Sequence, residues 1–139
     1  MKQKEVLKIK LNWEAKNFSA AFAMPDFGAI IVTDKTESGI KQKFAEAMAF
    51  HIEGMKNDGD KLPIWAETGN YEFEFVSTVS AMLQQALQYT TLTALSNVTG
   101  MKHAQLSHYA NAVSIPRPKQ REKIITGLHT IGQKCLAVN

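Results

Sequence analysis

Hydrophobic and polar residues alternate along two segments near the start of the chain, residues 6–13 and 18–24. The predicted inward face of the second segment consists of Phe18, Ala20, Phe22 and Met24. A period of two is typical of a β-strand that buries one face, and the short stretch between the segments has the right length for a hairpin. A turn over residues 25–28 and a more continuously apolar segment at residues 29–33 follow. The pattern therefore predicts three consecutive strands.

The next periodic segment has the spacing of a helix. Thr36 is a predicted N-cap. The apolar stripe that follows it consists of Ile40, Phe44, Met48, Ile52 and Met55. This should be the longest helix of the chain, and we expect it to end near Gly54 or at residues 58–59. A polar loop over residues 57–70 then leads to a fourth strand at residues 71–76, in which aromatic side chains should face the core and glutamates the solvent.

The order strand, strand, strand, helix, strand predicts a particular sheet. Consecutive strands pair as antiparallel neighbours, and a helical crossover between parallel strands is right-handed in nearly all proteins. Strand 4 should therefore return parallel to strand 3 and lie beside strand 1. The predicted strand order is 3-2-1-4.

Helical spacing continues from residue 83 to the end of the chain. A first apolar face with three-residue spacing is formed by Leu92, Leu95 and Val98. Gly100 should end that helix because glycine tolerates a positive φ, and Met101 should be buried behind the turn. A second short helix should follow, and its inward face should consist of Ala104, Leu106, Tyr109 and Ala110. Residues 118–138 are the predicted closing helix, whose apolar residues are Ile124, Ile125, Leu128, Ile131 and Leu136.

The other face of the second short helix is polar and carries no acid. It consists of Lys102, His103, Gln105, Ser107 and His108. Such a face suits the DNA major groove, where amides and hydroxyls address base edges and lysine pairs with phosphate. At the start of the closing helix, Arg117, Lys119 and Arg121 should meet phosphates. Two helices joined at a glycine also occur as ordinary αα-hairpins, so the pattern alone leaves both interpretations open.

Charge is distributed unevenly along the chain. Residues 79–139 hold six basic residues against one acid, a net charge of +5, whereas residues 1–78 hold ten lysines against twelve acids, a net charge of −2. This split favours a nucleic-acid-binding domain at residues 79–139 joined to a separate domain at residues 1–78. Because one helix offers few base contacts, we expect a homodimer or a larger homo-oligomer.

Composition places the chain among folded proteins, since 45% of its residues are hydrophobic and 21% are charged. The N-terminal segment alternates lysine with aliphatic residues instead of forming an apolar run, so we expect no signal peptide, no membrane association and a cytoplasmic location. The single cysteine, Cys135, is expected to be a small buried hydrophobic residue without an intramolecular disulfide partner.

Catalytic chemistry is not indicated by the sequence. A nuclease of the RNase H type needs carboxylates that converge on two metal ions. The candidates are Glu14, Asp26, Asp34, Glu72 and Glu74. Asp26 and Asp34 are placed for a turn and a helix cap, and the strand glutamates alternate with core aromatics. The histidines lack zinc-finger spacing, and His51 is expected to be a partly buried helix residue. We therefore predict no catalytic residue, no metal and no cofactor.

The C-terminal part resembles the Cro/repressor-type (Xre-like) helix-turn-helix over the run LSNVTGMKHAQLSHYANAVSIPRPKQREKIITGLHTIG. The matching positions are Leu106, Ser107, Tyr109 and Pro116. Two positions differ, because Ala112 stands where the family usually has glycine and Ser96 where it usually has alanine. An alanine at a position of positive φ would cost on the order of 1 kcal/mol.

The whole chain is similar to HicB-family antitoxins. The similar segments of the first half are the Pro-Asp-Phe-Gly turn, the helix entry at residues 34–36, and residues 54–55 followed by 58–59. The resemblance implies a partial RNase H-like β-β-β-α-β domain that masks a HicA-type mRNA-cleaving toxin, and a helix-turn-helix domain that binds the operator DNA of its own operon. The alternative is an Xre-like transcriptional regulator whose N-terminal domain senses a ligand or dimerises.

Overall fold

The computed structural model describes residues 3–139. The chain divides into two compact units, Met1–Ser77 and Thr78–Asn139. The first unit combines a four-stranded mixed sheet with two helices, and the second consists of four helices. The fold is therefore α+β, with all strands in the first unit.

The sheet of the first unit contains the four predicted strands. They are β1 (Glu5–Glu14), β2 (Asn17–Met24), β3 (Gly28–Asp34) and β4 (Tyr71–Ser77). Their order is β3-β2-β1-β4, with β1 antiparallel to β2 and parallel to β4, which confirms the predicted order. Ala15 and Lys16 form a two-residue hairpin loop with φ of 51° and 64°. Two positive φ angles suit the right-handed twist of the strands that they join.

One face of the sheet is covered by α1 (Glu37–Asn57). All five residues of the predicted apolar stripe are buried, and the helix ends at the later of the two predicted positions. Phe44 packs edge-on against Phe73 and Phe75 of β4, with ring centroids 5.2 and 6.2 Å apart. Met24, predicted to face the core, is exposed because β1 pairs with β2 only as far as Ala21.

The start of α1 is fixed by side chains, as predicted. The Thr36 hydroxyl accepts from the Gly39 backbone N–H at 3.0 Å, and the Asp34 carboxylate accepts from the Thr36 backbone N–H at 3.1 Å. The Thr36 backbone N–H and hydroxyl hold the pKa of Asp34 below its usual value, so the bonds from Thr36 to the Asp34 carboxylate weaken as the pH falls through that lowered pKa. A Cβ on Gly39 would collide with both side chains, which explains the glycine.

The segment predicted as a polar loop contains a short helix, α2 (Ile64–Thr68). Pro63 precedes it, and Gly69 ends it with a φ of 72°. The helix forms because it buries Trp65, whose ring lies 5.2 Å from that of Phe27 and 5.5 Å from that of Tyr71. The prediction of an unstructured loop over residues 57–70 was therefore wrong at its centre.

The second unit contains four helices. They are α3 (Val79–Ala86), α4 (Leu92–Thr99), α5 (His103–Ala110) and α6 (Pro118–Leu136). Its core is built on Leu83, Leu95, Leu106 and Ile124, which are at most 1% exposed. Leu136, predicted to belong to the apolar face of the closing helix, is 87% exposed, because the burial of α6 stops before its last turn. Cys135, predicted to be buried, is exposed for the same reason. No helix within residues 3–139 is long and apolar enough to cross a membrane.

Candidate nucleic-acid interface

The turn between α4 and α5 is held by hydrogen bonds and one buried side chain. Gly100 has a φ of 73°, and its backbone N–H donates to the Ser96 carbonyl. The Ser96 hydroxyl donates to the Met101 carbonyl at 2.6 Å, and the Met101 side chain is 6% exposed. The predicted glycine stop and buried methionine are confirmed. The Ser96 side chain thus supplies a bond across the turn that alanine could not make.

The inward face of α5 is narrower than predicted. Leu106, Tyr109 and Ala110 are buried, but Ala104 is exposed. At about 100° per residue, Ala104 lies about 200° from Leu106 around the helix, so it belongs to the opposite face. Asn111, the residue that ends α5, lies on that same opposite side and is exposed. Neither residue was predicted to lie on the outer face, because the polarity of a side chain does not show its angular position around the helix.

The predicted outward residues differ in their exposure. Lys102, His103 and His108 are exposed, whereas Ser107 is half-buried and its backbone carbonyl accepts from the Asn111 side-chain amide at 2.9 Å. The exposed face of α5 thus carries donors and acceptors and no acidic side chain.

Gln105, the residue predicted to address bases, is already engaged within the protein. Its side-chain Nε2 donates to the Tyr109 hydroxyl at 3.0 Å, and the side chain is half-buried. This bond orients the amide and leaves its second N–H as a donor and its carbonyl oxygen as an acceptor. A base edge that pairs a donor with an acceptor, such as that of adenine, fits Gln105 in this orientation.

The three basic residues predicted at phosphates lie together at the start of α6. Arg117 is the N-cap residue, and Lys119 and Arg121 lie in the first turn. All three are exposed. Their charges are therefore accessible from solvent at the amino end of a helix, which is also where an anion finds backbone N–H groups.

The four helices of the second unit begin in two different ways. The Thr78 and Thr91 hydroxyls cap α3 and α4 by accepting from backbone N–H groups of the first turn. Lys102 and Arg117, the N-cap residues of α5 and α6, make no side-chain cap bond in the described part of the chain. The first amides of α5 and α6 therefore need other acceptors, and phosphate oxygens are suitable ones.

The loop after α5 contains a strained residue. Ala112 has a φ of 58°, the conformation that glycine adopts more easily, and its N–H donates to the Tyr109 carbonyl. The chain thus keeps the backbone shape expected for a glycine at this position while carrying an alanine. A substitution that relieves the strain at Ala112 would test whether this residue has a positive φ.

We expect Ala112→Gly to raise the free energy of unfolding of the second unit by about 0.5–1 kcal/mol, because glycine reaches positive φ without a steric penalty. Thermal unfolding followed by circular dichroism would measure the change. Ala104→Gly is the matched control, since it places glycine at an exposed helical position and should lower stability by about 1 kcal/mol. A loss of stability in Ala112→Gly would contradict the strain.

The candidate carboxylates do not gather into a metal site. Asp26 occupies the turn before β3 with a φ of 63°, and Asp34 accepts from Thr36, the N-cap residue of α1. Glu14, Glu72 and Glu74 are exposed. Within residues 3–139, no three His, Cys, Asp or Glu side chains form a group that could hold a metal ion.

The histidine of α1 has a structural role. The His51 Nε2 lies 2.6 Å from the Phe27 carbonyl oxygen, and its ring is 4.6 Å from the Phe27 ring. It is half-buried, as predicted. These contacts fix the turn before β3 against α1.

Comparisons with models of protein families, with curated proteins and with solved structures each found no match. The resemblances described for the sequence therefore stay hypotheses. Any assignment of function has to rest on the geometry of the two units and on the chemistry of their exposed residues.

Proposed function

We propose that this chain is an antitoxin of the HicB type that also represses its own operon. In this proposal residues 79–139 form an Xre-like helix-turn-helix that binds operator DNA, and residues 1–78 bind and mask a HicA-type mRNA-cleaving toxin. The observation that carries the DNA-binding part is the acid-free exposed face of α5, followed along the chain by a basic start of α6 without a side-chain cap, within a unit of net charge +5.

The proposed docking mode places α5 in the major groove as the recognition helix. Lys102, His103 and His108 are exposed on it and can reach base edges or phosphates without leaving the core. Arg117, at the uncapped start of α6, meets the flanking backbone together with the two basic residues after it. The absence of acid from the exposed face of α5 avoids repulsion of the phosphates.

The proposed assembly follows from the small size of this surface. One eight-residue helix reaches few base pairs, so useful affinity needs two copies on two half-sites. We propose a homodimer or a larger homo-oligomer on a pseudo-palindromic operator, with half-site centres roughly 34 Å apart or a multiple of that distance.

The role of the first unit rests on its separateness and its charge. It has its own sheet, its own long helix and a net charge of −2, opposite in sign to that of the second unit. The β-β-β-α-β order of its main elements supports the finer description as a partial RNase H-like domain. A slightly acidic surface is suited to covering a cationic RNA-binding toxin.

Two substitutions should separate base contacts from phosphate contacts. Gln105→Ala should change sequence preference at one or two operator positions, at a cost of about 1–3 kcal/mol there, because it removes an oriented acceptor. Arg117→Ala should weaken binding to all sequences alike and reduce the salt slope by about one. Binding to an operator library at several salt concentrations measures both effects. Identical sequence profiles and salt slopes in the two variants would reject the assignment.

The antitoxin part is tested by co-expression with the product of the neighbouring reading frame. We expect a short basic protein of about 60–90 residues, enough for one compact domain, that arrests growth alone and co-purifies with this chain. A neighbouring frame without these properties would favour the alternative, an Xre-like regulator whose first unit senses a ligand or dimerises.

A further inference from the structure

An open groove runs along the free edge of the sheet in the first unit. β3 is the last strand on its side of the sheet and pairs only with β2. Residues 28–32 of β3 form one wall of a groove of about 650 Å³, and the C-terminal half of α1 forms the opposite wall. We call this feature the β3–α1 groove.

The α1 wall of the β3–α1 groove exposes a large apolar side chain. Phe50 is 80% exposed. Ala47, Phe50 and Gly54 recur along α1 at helical spacing, so they form a second stripe beside the buried one. A Cβ added to Gly54 would meet no atom within 4 Å, so the wall of α1 is open at that point.

The charged side chains that line the β3–α1 groove all have the same sign. They are Asp26, which lies in the turn before β3, and Asp58 and Asp60, which follow α1. No lysine or arginine is among the residues that line it within the described chain. The groove is therefore apolar along its walls and negative where the turn before β3 meets the end of α1.

The backbone of β3 is blocked at one end only. The Lys43 ammonium donates to the Thr33 carbonyl at 2.8 Å, which protects that end of the edge strand. Residues 28–32, which line the groove, lie before this block. An extended segment of another chain can pair with β3 there, and its alternate side chains would then reach Phe50 and the wall of α1.

We propose that the β3–α1 groove is the surface that binds the toxin, through an extended, cationic segment of the toxin that pairs with residues 28–32. An apolar side chain of that segment packs against Phe50, and its lysines or arginines lie near Asp58 and Asp60. This inference rests on the proposed function. Charge complementarity selects this occupant, because the groove is lined by three aspartates and, among the described residues, by no lysine or arginine.

The test uses purified full-length chain and the product of the neighbouring reading frame. Asp58→Lys with Asp60→Lys should raise the dissociation constant roughly tenfold or more, mainly through faster dissociation. The fold should tolerate the change, because lysine is favoured near the C-terminus of a helix. Glu53→Lys with Glu67→Lys is the matched control, since these exposed residues lie outside the groove. It should bind like the wild-type chain.

A second pair of variants tests shape instead of charge. Gly54→Leu fills the groove from α1 and should also weaken binding roughly tenfold or more, because the added side chain occupies the space of the partner's apolar anchor. Ala45→Leu adds a leucine to the same helix at an exposed position outside the groove and should have no effect. Binding is measured by titration calorimetry, and the fluorescence of Trp13 and Trp65, which both lie in the first unit, checks that this unit is folded in each variant.

The outcomes separate this inference from the function on which it rests. Weaker binding in both groove variants, with both controls unchanged, supports the groove. Wild-type affinity in both groove variants, or an equal loss in the groove and control variants, places the toxin elsewhere and overturns it. If the wild-type chain does not bind the neighbouring product, the proposed function is wrong and the inference falls with it.

Discussion

Replacing Gly127 with alanine is expected to lower the free energy of unfolding of the second unit by about 1–3 kcal/mol, the cost of overpacking a core. Gly127 is buried in α6, where α6 crosses α4. A Cβ at this position would collide with the Thr99 methyl group and lie 3.0 Å from a Leu95 methyl group. The helices would have to move apart, and the Leu95 side chain that they bury would lose contacts.

Gly132 provides the matched control for this prediction. It lies in the same helix, but a Cβ added to it would meet no atom within 4 Å. Gly132→Ala should therefore raise stability by about 0.5–1 kcal/mol, because alanine is the better helix former. Opposite signs for the two substitutions would identify close helix packing, and not helix propensity, as the reason for glycine at position 127.

The two units can be followed separately in the same sample. Both tryptophans, Trp13 and Trp65, lie in the first unit, so their fluorescence reports its unfolding alone. Circular dichroism reports the helices of both units. Gly127→Ala should shift only the transition that tryptophan fluorescence does not detect. An unchanged dichroism transition would show that α4 and α6 accommodate the methyl group, and a shift in fluorescence would show that the units unfold together.

The sheet could be predicted from the sequence because two strong rules determined it. Alternation marked each strand and its buried face, and the handedness of crossovers fixed the return of β4 beside β1. The extent of burial could not be predicted in the same way. Periodicity shows which face of a strand or helix is apolar, but it does not show how far along that element other parts of the fold pack on the face. Met24 and Leu136 were therefore predicted to be buried, although both are exposed. The helix α2 was missed because five residues are too few for a periodic pattern.

The sequence predicted more of the candidate site in the second unit than of the groove in the first. Lys102 and His108 belong to one continuous segment, so polarity alone placed them on the exposed side of α5. The hydrogen bond from Gln105 to the Tyr109 hydroxyl leaves no trace in a polarity pattern. The β3–α1 groove was not predicted, because its acids and its apolar walls come from segments that only the folded chain brings together.

Residues 1–77 alone should neutralise the toxin and should not bind the operator. The division between Ser77 and Thr78 leaves the sheet, α1 and α2 intact, so the first unit keeps its own core. Every residue that is proposed to contact DNA lies in the second unit, after this boundary. Operator retardation should therefore be lost even at roughly a thousandfold higher protein concentration, the usual margin of specific over non-specific binding. Affinity for the toxin should fall only if the second unit supplies dimerisation and hence avidity.

The converse variant keeps the full chain and removes two charges from the second unit. Lys102→Ala with Arg117→Ala should derepress the operon, because both uncapped helix starts lose their cation. Growth rescue should be unchanged, since neither residue lies in the unit assigned to the toxin. Both constructs would be compared by growth rescue and operator retardation, with circular dichroism as the check on folding. A folded double variant that no longer rescues growth would show that the basic unit contacts the toxin, and the proposed division of labour would then be wrong.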